Sequence, residues 1–455
     1  MSSSFFLVSL LLFLPLISSE ITKISLSLHQ FPQNSSPDPS QTFTRLAASS
    51  LIRAKHLKKP PHSQNALLSN TPLFPHSYGG YSISLNFGTP PQKISLLMDT
   101  GSDLVWLPCT NTYVCKNCSF ANLPSKIAVF LPKSSSSSKL IGCKNPKCSW
   151  IHSQPNCGKC PPTSLANCSQ VCPPYFVLYG SGSTAGLLLS ETLNFPEKKV
   201  TDFAVGCSIF STGQPAGVAG FGRGNSSLPT QLGLKRFSYC LVSHRLDDTG
   251  KSSSLVLDST GGSDSGKDGL SYTPILKNPT VGSSAFAVYY YVGLRKVTVG
   301  GKSVEIPYRY LSQGSDGNGG TIVDSGTTFT FMEGHVFEPV AREFERLVGY
   351  YKRAADMEYR TGLRPCFDVS AEKSLKLPQL AFHFKGGADM ALPLANYFSY
   401  VGNSGTVCLT IVTDGFTGDG FSGGPSIILG NFQQQNFFLE YDLAKERFGF
   451  RPQKC

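Results

Sequence analysis

Charge is scarce in this chain: Asp, Glu, Lys and Arg make up 15% of the 455 residues, and acids are outnumbered 29 to 40. The basic excess is spread out and forms no dense Lys/Arg run, which removes nucleic-acid binding from the candidate functions. Beyond residues 1–19 no apolar run approaches the ~20 residues needed to cross a bilayer, and the C-terminal FGFRPQKC carries no lipid-anchor signal. Eight His are scattered without a metal-ligand pattern, and His335 and His383 read as surface or core residues. Two motifs lack the context that would give them meaning. GSGSTA (180–185) has dinucleotide-fingerprint spacing but neither a helical pattern nor a βαβ unit after it. Gly420-Phe421-Ser422-Gly423-Gly424 matches a nucleophile elbow but lies in a Gly-rich loop with no following helix. No cofactor and no metal are expected.

What is present points to the secretory route. Residues 1–19 are Ser-rich and then strongly apolar (FFLVSLLLFLPLI), a signal peptide with cleavage expected near Glu20, although no Lys or Arg precedes the apolar core. Fourteen Cys in such a chain imply up to seven disulfides. Nine lie between Cys109 and Cys172; nine cannot pair among themselves, so one must reach outside, and Cys207 is nearest in sequence. Cys115/Cys118 and Cys157/Cys160 have zinc-ribbon spacing, but oxidation is the expected fate of secreted cysteines and the intervening stretch is too long for a ribbon. N-glycosylation sequons stand at Asn34, Asn117, Asn167 and Asn225.

Residues 20–76 are rich in Ser, Pro, Asn and Gln and do not read as a packed domain; a disordered tail is the plain expectation for such composition. Within them FTRLAASSLIRAKHLKK (43–59) has the spacing of a short helix with a basic end. From Tyr81 onward short alternating segments separated by turn residues predict antiparallel sheet. GHVFEPVAREFERLVGYY (334–351) is the clearest helix.

The centre of the chain is ISLLMDTGSDLVWLPC (94–109), where an apolar strand delivers an acid, Asp99, into Thr100-Gly101-Ser102. TIVDSGTTFTF (321–331) repeats the pattern with Asp324, Ser325, Gly326 and Thr327. One such motif is weak evidence, because Asp and Gly are ordinary turn residues; two imply halves built alike that meet at their acids. VLYGSGS (177–183) reads as a flap carrying Tyr179 and Gly180. Each acid is followed at a distance by an apolar-apolar-Gly element, Val218-Ala219-Gly220 and Ile428-Leu429-Gly430.

With these motifs in order from about Tyr81 to Cys455, the chain resembles the pepsin-like aspartic proteases, and its Cys-rich segment resembles the plant nepenthesin-type branch. The resemblance implies an all-β, mostly antiparallel, bilobal fold with a cleft between two similar lobes and a few short helices. The expected division is a signal peptide at 1–19, a removable prosegment at 20–76, an N-terminal lobe at 77–236 and a C-terminal lobe at 237–455. It implies a secreted aspartic endopeptidase with an acid optimum, Asp99 and Asp324 being catalytic, and Tyr179 and Gly180 covering peptide substrate. Gly101 and Gly326 permit tight loops whose amides face the carboxylates, Thr100 and Ser325 brace the loops, and Ser102 and Thr327 bond the outer oxygens. Trp106 is placed by the family pattern to receive the Tyr179 hydroxyl. Pairings Cys240–Cys455 and Cys366–Cys408 follow from the resemblance, as does a prosegment lysine on the acids, for which Lys55, Lys58 and Lys59 are candidates. Peptides or proteins are the expected partners and a monomer the expected state, in the apoplast or cell wall or in a vacuole. The basic surface would adhere weakly to acidic polysaccharide. The competing expectation is a catalytically silent member of the branch that binds and inhibits glycosidases.

Overall fold

Alternation of apolar and polar residues writes most of the fold. In Tyr81–Phe87 (YSISLNF) the residues at odd positions are buried, and the strand pairs antiparallel with Gln92–Asp99 across the turn at Gly88. The architecture comes from a computed structural model, which describes residues 23–30, 39–58, 79–118, 127–153, 155, 157, 170–180, 182–196, 198–214, 216–243, 252–261, 269–279, 284–372, 374–402, 405–416 and 423–455. The expected signal peptide, Lys59, Asn34, Asn167 and Ser422 lie outside the described residues.

Strands dominate, mostly antiparallel, with a few short helices. One large sheet of fifteen described strands draws on both halves of the chain. Within it, Arg236–Cys240 pairs with Phe437–Asp442 on one side and Ser252–Asp258 on the other. Smaller sheets complete the C-terminal half. Helix Gly334–Leu347 buries Val336, Phe337, Val340, Ala341 and Phe344, a stripe at three- and four-residue spacing that packs into the second-half core.

The repeat seen in the motifs is a three-strand unit built twice. Gln92–Asp99 runs parallel to Gly217–Gly220, with Asp99 opposite Gly220, and Trp106–Pro108 lies antiparallel on the far side. Thr321–Asp324 runs parallel to Ile427–Gly430, with Asp324 opposite Gly430, and Thr330–Met332 takes the third place. The two distant apolar-apolar-Gly elements are therefore the partner strands of the two acids. Their glycines are required sterically: a Cβ at Gly220 would overlap the Asp103 backbone, and one at Gly430 would sit 2.5 Å from the Thr328 carbonyl oxygen.

Disulfides join Cys109–Cys207, Cys115–Cys118, Cys143–Cys157, Cys148–Cys172, Cys240–Cys455 and Cys366–Cys408. Cys207 does reach back into the cluster, to Cys109. The first C-x-x-C pair closes on itself, and no group of three or more metal-ligating side chains occurs among the described residues.

The N-terminal segment, expected to be a disordered tail on composition alone, is ordered where it is described. Strand Lys23–Gln30 lies in the large sheet between Ser252–Asp258 and Tyr81–Phe87, so it bridges the two halves. Helix Pro39–Lys58 buries Phe43, Leu46, Ala47, Ala54 and Leu57 against Phe329, Phe331, Val412 and Phe432 of the second half. These apolar positions fall on one face at helical spacing, and burial in a preformed groove stabilises a helix whose own propensity is modest.

Candidate active site

Asp99 and Asp324 end their strands facing one another, 1% and 0% exposed. Each loop is shaped around the other's acid. A Cβ on Gly101 would lie 2.6 Å from Asp324 Oδ1, and one on Gly326 would overlap Asp99 Oδ1. Glycine is therefore needed at both positions for close approach.

The loops cross-brace. The Thr100 N–H donates to Ser325 Oγ at 3.1 Å, and the Ser325 N–H donates to Thr100 Oγ1 at 2.9 Å. Each hydroxyl then donates across the interface, Thr100 to the Val323 carbonyl (3.1 Å) and Ser325 to the Met98 carbonyl (3.0 Å). Four hydrogen bonds in a buried site hold the acids in register, where leaving any donor unmade would cost about 1–3 kcal/mol. Each carboxylate also accepts two bonds from its own loop. Asp99 takes the Gly101 N–H (2.9 Å) and the Ser102 hydroxyl (2.6 Å); Asp324 takes the Gly326 N–H (2.9 Å) and the Thr327 hydroxyl (2.5 Å).

These surroundings separate the two acids. Burial opposes the charge of Asp99, but the Arg53 guanidinium, the Ser102 hydroxyl and the Gly101 amide outweigh it and hold the carboxyl below its ordinary range. At Asp324 burial and the neighbouring Asp99 charge prevail over Arg53, Thr327 and Gly326, and the carboxyl is raised. A proton held by the pair therefore prefers Asp324.

The flap strand Tyr175–Tyr179 folds back on Gly182–Asn194. Tyr179 is buried, and its oxygen accepts the Trp106 indole N–H at 2.8 Å. Residues 182–194 form a strand, so the dinucleotide-like spacing is followed by strand and not by a helix.

The cation on the acids is an arginine of the N-terminal helix. Arg53 Nη2 donates to Asp99 Oδ1 at 2.7 Å and Nε to Asp324 Oδ2 at 3.2 Å. Burial disfavours the charge on Arg53, but Asp324 and Asp99 more than offset it and the guanidinium stays protonated. The two expected lysines within the described residues lie elsewhere. Lys58 Nζ donates to Glu333 Oε2 (2.9 Å) and the Pro425 carbonyl (3.1 Å), and Lys55 is exposed. A planar guanidinium spans two carboxylates that an ammonium meets only as a point charge. The sequence signal for Arg53 was a cation on the apolar stripe of the helix, three residues after Ser50 and seven after Leu46. The helix leaves a residual cavity of about 20 Å³ beside Asp99 and Tyr179. Ser50 Oγ accepts the Phe329 N–H (2.8 Å), and Phe43 stacks on Phe329. A Cβ on Gly180 would overlap the Arg53 backbone, so the flap touches the helix. His56, one turn beyond Arg53, is pushed down to about 3 by burial and by the Arg53 charge, against the pull of Asp324.

Asp103 was also missed by the sequence reading; it packs behind the Asp99 loop. Of the sequons within the described residues, Asn117 and Asn225 are exposed. No helix among the described residues is long and apolar enough to cross a membrane.

Two matching strand-acid-glycine units, each acid cradled by the other's loop, define a pepsin-like aspartic protease site, and this chain belongs to the plant pepsin-like aspartic protease family. Residues 81–257 match the family model described as Xylanase inhibitor N-terminal, and residues 289–452 that described as Xylanase inhibitor C-terminal. The chain is 34% identical over 424 residues to a probable aspartyl protease of Arabidopsis thaliana, covering 82% of each. It is 33% identical over 386 residues to the aspartic proteinase nepenthesin-1 of Nepenthes gracilis, covering 83% of this chain and 78% of that one. Among solved structures, edgp superposes with a TM-score of 0.61 at 21% identity, over 84% of this chain and 93% of that one. Basic 7S globulin from soybean gives 0.61 at 16% identity, over 94% and 96%, a likeness of fold alone.

Proposed function

We propose that the protein is an aspartic endopeptidase that works at acid pH and is held inactive by its own N-terminal segment. The observation that carries this reading is the buried pair Asp99 and Asp324, cross-braced so closely that, with Arg53 gone, two like carboxyls would share one proton. With the helix withdrawn, a water bound between the carboxylates gives up a proton to the ionised member as it attacks the peptide carbonyl. The protonated member donates to the carbonyl oxygen. The product is a tetrahedral gem-diol, and its collapse, with a proton passed to the leaving amine, returns the dyad to its starting state without an acyl-enzyme. Tyr179, fixed by Trp106, and the flap beside Gly180 close over an extended peptide and exclude bulk water.

Residues 20–76 act as the prosegment. Helix Pro39–Lys58 fills the place of substrate, and Arg53 neutralises the dyad. Secretion to the apoplast or a vacuole follows from the signal-like N-terminus, the disulfides and the sequons. The test is cleavage of a denatured protein by the acid-treated chain, with the new termini read by mass spectrometry. Cleavage should be blocked by a hydroxyl-bearing peptide analogue and lost in Asp99→Asn; an intact protein substrate at every acid pH would overturn the reading.

A second reading, a silent binder of glycosidases, draws on the family models' description as xylanase inhibitor domains. It is disfavoured because both acids, both loop glycines and Tyr179 are retained. Inhibition of a xylanase by the chain in the absence of any peptide hydrolysis would favour it.

A further inference from the structure

Four residues past Asp99 stands a third acid, Asp103, for which the dyad chemistry has no use. Its carboxylate sits in a cradle formed by Gly222 and Gly224, where a Cβ on either glycine would overlap a carboxylate oxygen. The Gly224 N–H donates to Oδ1 at 3.0 Å. The repeat does not demand an acid here, because the same place in the second half, four residues past Asp324, is Thr328.

The loop that Asp103 grips is the junction of the site. Its Phe221 N–H donates to the Asp99 carbonyl (2.7 Å) and its Gly222 N–H to the Ser102 carbonyl (2.9 Å). On the other side the Tyr290 hydroxyl donates to the Phe221 carbonyl (2.8 Å), and the Arg223 N–H donates to the Val288 carbonyl (2.9 Å). Residues 220–224 therefore tie the backbone of Asp99 to the second half of the chain.

We propose that Asp103 is a positioning residue whose carboxyl clamps the 220–224 loop onto the loop bearing Asp99, and that charge on this carboxyl, which meets no countercharge in its cradle, costs the fold stability. This rests on the reading of Asp99 as half of a catalytic dyad. The charged or titratable groups that face Asp103 are Asp99 on its own loop and Tyr290 across the junction. Arg223 lies on the gripped loop, but its guanidinium is directed to the Leu276 carbonyl, Asn278 and Glu446. No ion pair to Asp103 occurs among the described residues. Asp103 is half-buried as a residue while its carboxyl lies in the glycine cradle, and burial, with the Asp99 charge added and the Gly224 amide opposing, pushes it up to about 7. A carboxyl raised in the fold favours the folded state at low pH. That advantage falls away as pH rises from the ordinary carboxylate range through the raised value.

The test uses the full-length chain as Asp103→Asn and Asp103→Ala, with thermal unfolding followed from pH 5 to 7.5 and peptide hydrolysis after acid treatment. Asparagine keeps an acceptor for Gly224 and never ionises, so the wild type should lose about 2–5 °C more than Asp103→Asn over this range. After acid treatment, kcat of Asp103→Asn at pH 4 should lie within about twofold of wild type. Asp103→Ala removes the acceptor and should lower kcat at pH 4 about tenfold or more, with KM changed less. Superimposable melting profiles of wild type and Asp103→Asn would overturn the titration, and an unchanged kcat in Asp103→Ala would overturn the clamp. If the wild type hydrolyses nothing, the protease reading fails; the melting profiles still decide whether Asp103 titrates in the fold.

Discussion

On the proposed function, replacing Arg53 by alanine should let the N-terminal helix leave the dyad at higher pH while the chain is still intact. Arg53 makes charge-assisted bonds of 2.7 and 3.2 Å to two acids that are almost wholly buried. Removing one partner of a buried ion pair costs about 3–5 kcal/mol, because the remaining charge is left desolvated. If that cost falls on the docked state, the equilibrium between docked and released helix shifts by roughly 10²- to 10⁴-fold. The remaining contacts of the helix, Phe43 on Phe329 and Lys58 on Glu333, stay in place and set how much of the shift is seen. The pH sign follows from the same groups. Arg53 stays charged, so the contact is lost only by protonating Asp99, whose acidity the fold increases; its contribution is present above the ordinary carboxylate value and disappears as pH falls through the lowered one. The assay is binding of a hydroxyl-bearing peptide analogue to uncleaved chain between pH 3 and 7, with chain length checked by mass. The wild type should bind only on strong acidification, Arg53→Ala at least ~1 pH unit higher, and Arg53→Lys between them. An Arg53→Ala precursor that opens at the same pH as wild type would refute the assignment of Arg53 as the plug.

Other consequences are equally concrete. His56 is lowered in the docked helix, so protonation disfavours docking as pH falls from about 6.5 toward 3; His56→Gln should move the opening midpoint to lower pH, read by the same binding assay. Gly180→Ala places a Cβ against the Arg53 backbone and should open the precursor at higher pH than wild type. Gly101→Ala forces its Cβ to within 2.6 Å of Asp324 Oδ1 and should reduce kcat at least ~100-fold in the acid-treated chain, with the circular dichroism spectrum preserved. Elution from a pectin column should fall to lower salt when surface lysines such as Lys93 and Lys296 are replaced by glutamine, since screened surface charge is the proposed attraction.

The sequence announced the dyad because each acid stands where an apolar strand stops, in a loop whose glycines and hydroxyls have no other common purpose. The partner strands were also legible as Val218-Ala219-Gly220 and Ile428-Leu429-Gly430, although their parallel register with the acids was not. The N-terminal segment was legible only in part. Its helix follows from the spacing of Phe43, Leu46, Ala47 and Leu57, but composition suggested disorder because nothing in the segment supplies the groove that makes a short helix stable. Arg53 went unnamed because the resemblance implied a lysine on the acids, so only Lys55, Lys58 and Lys59 were weighed. Three-dimensional docking sends Lys58 to Glu333 and leaves Arg53 above the acids. Asp103 was hidden for a similar reason: its partners Gly222 and Gly224 are far along the chain, and an acid in a turn carries no mark of burial.

The most direct check of the central claim is hydrolysis of one quenched-fluorescent peptide by acid-treated wild type, Asp99→Asn and Asp324→Asn, each measured from pH 2.5 to 7. A dyad sharing one proton requires a wild-type rate that is greatest in the acid range and falls toward neutrality, with both asparagine variants lower by about 10³-fold or more. Substantial turnover in either variant, or a wild-type rate indifferent to pH across that range, would contradict the account.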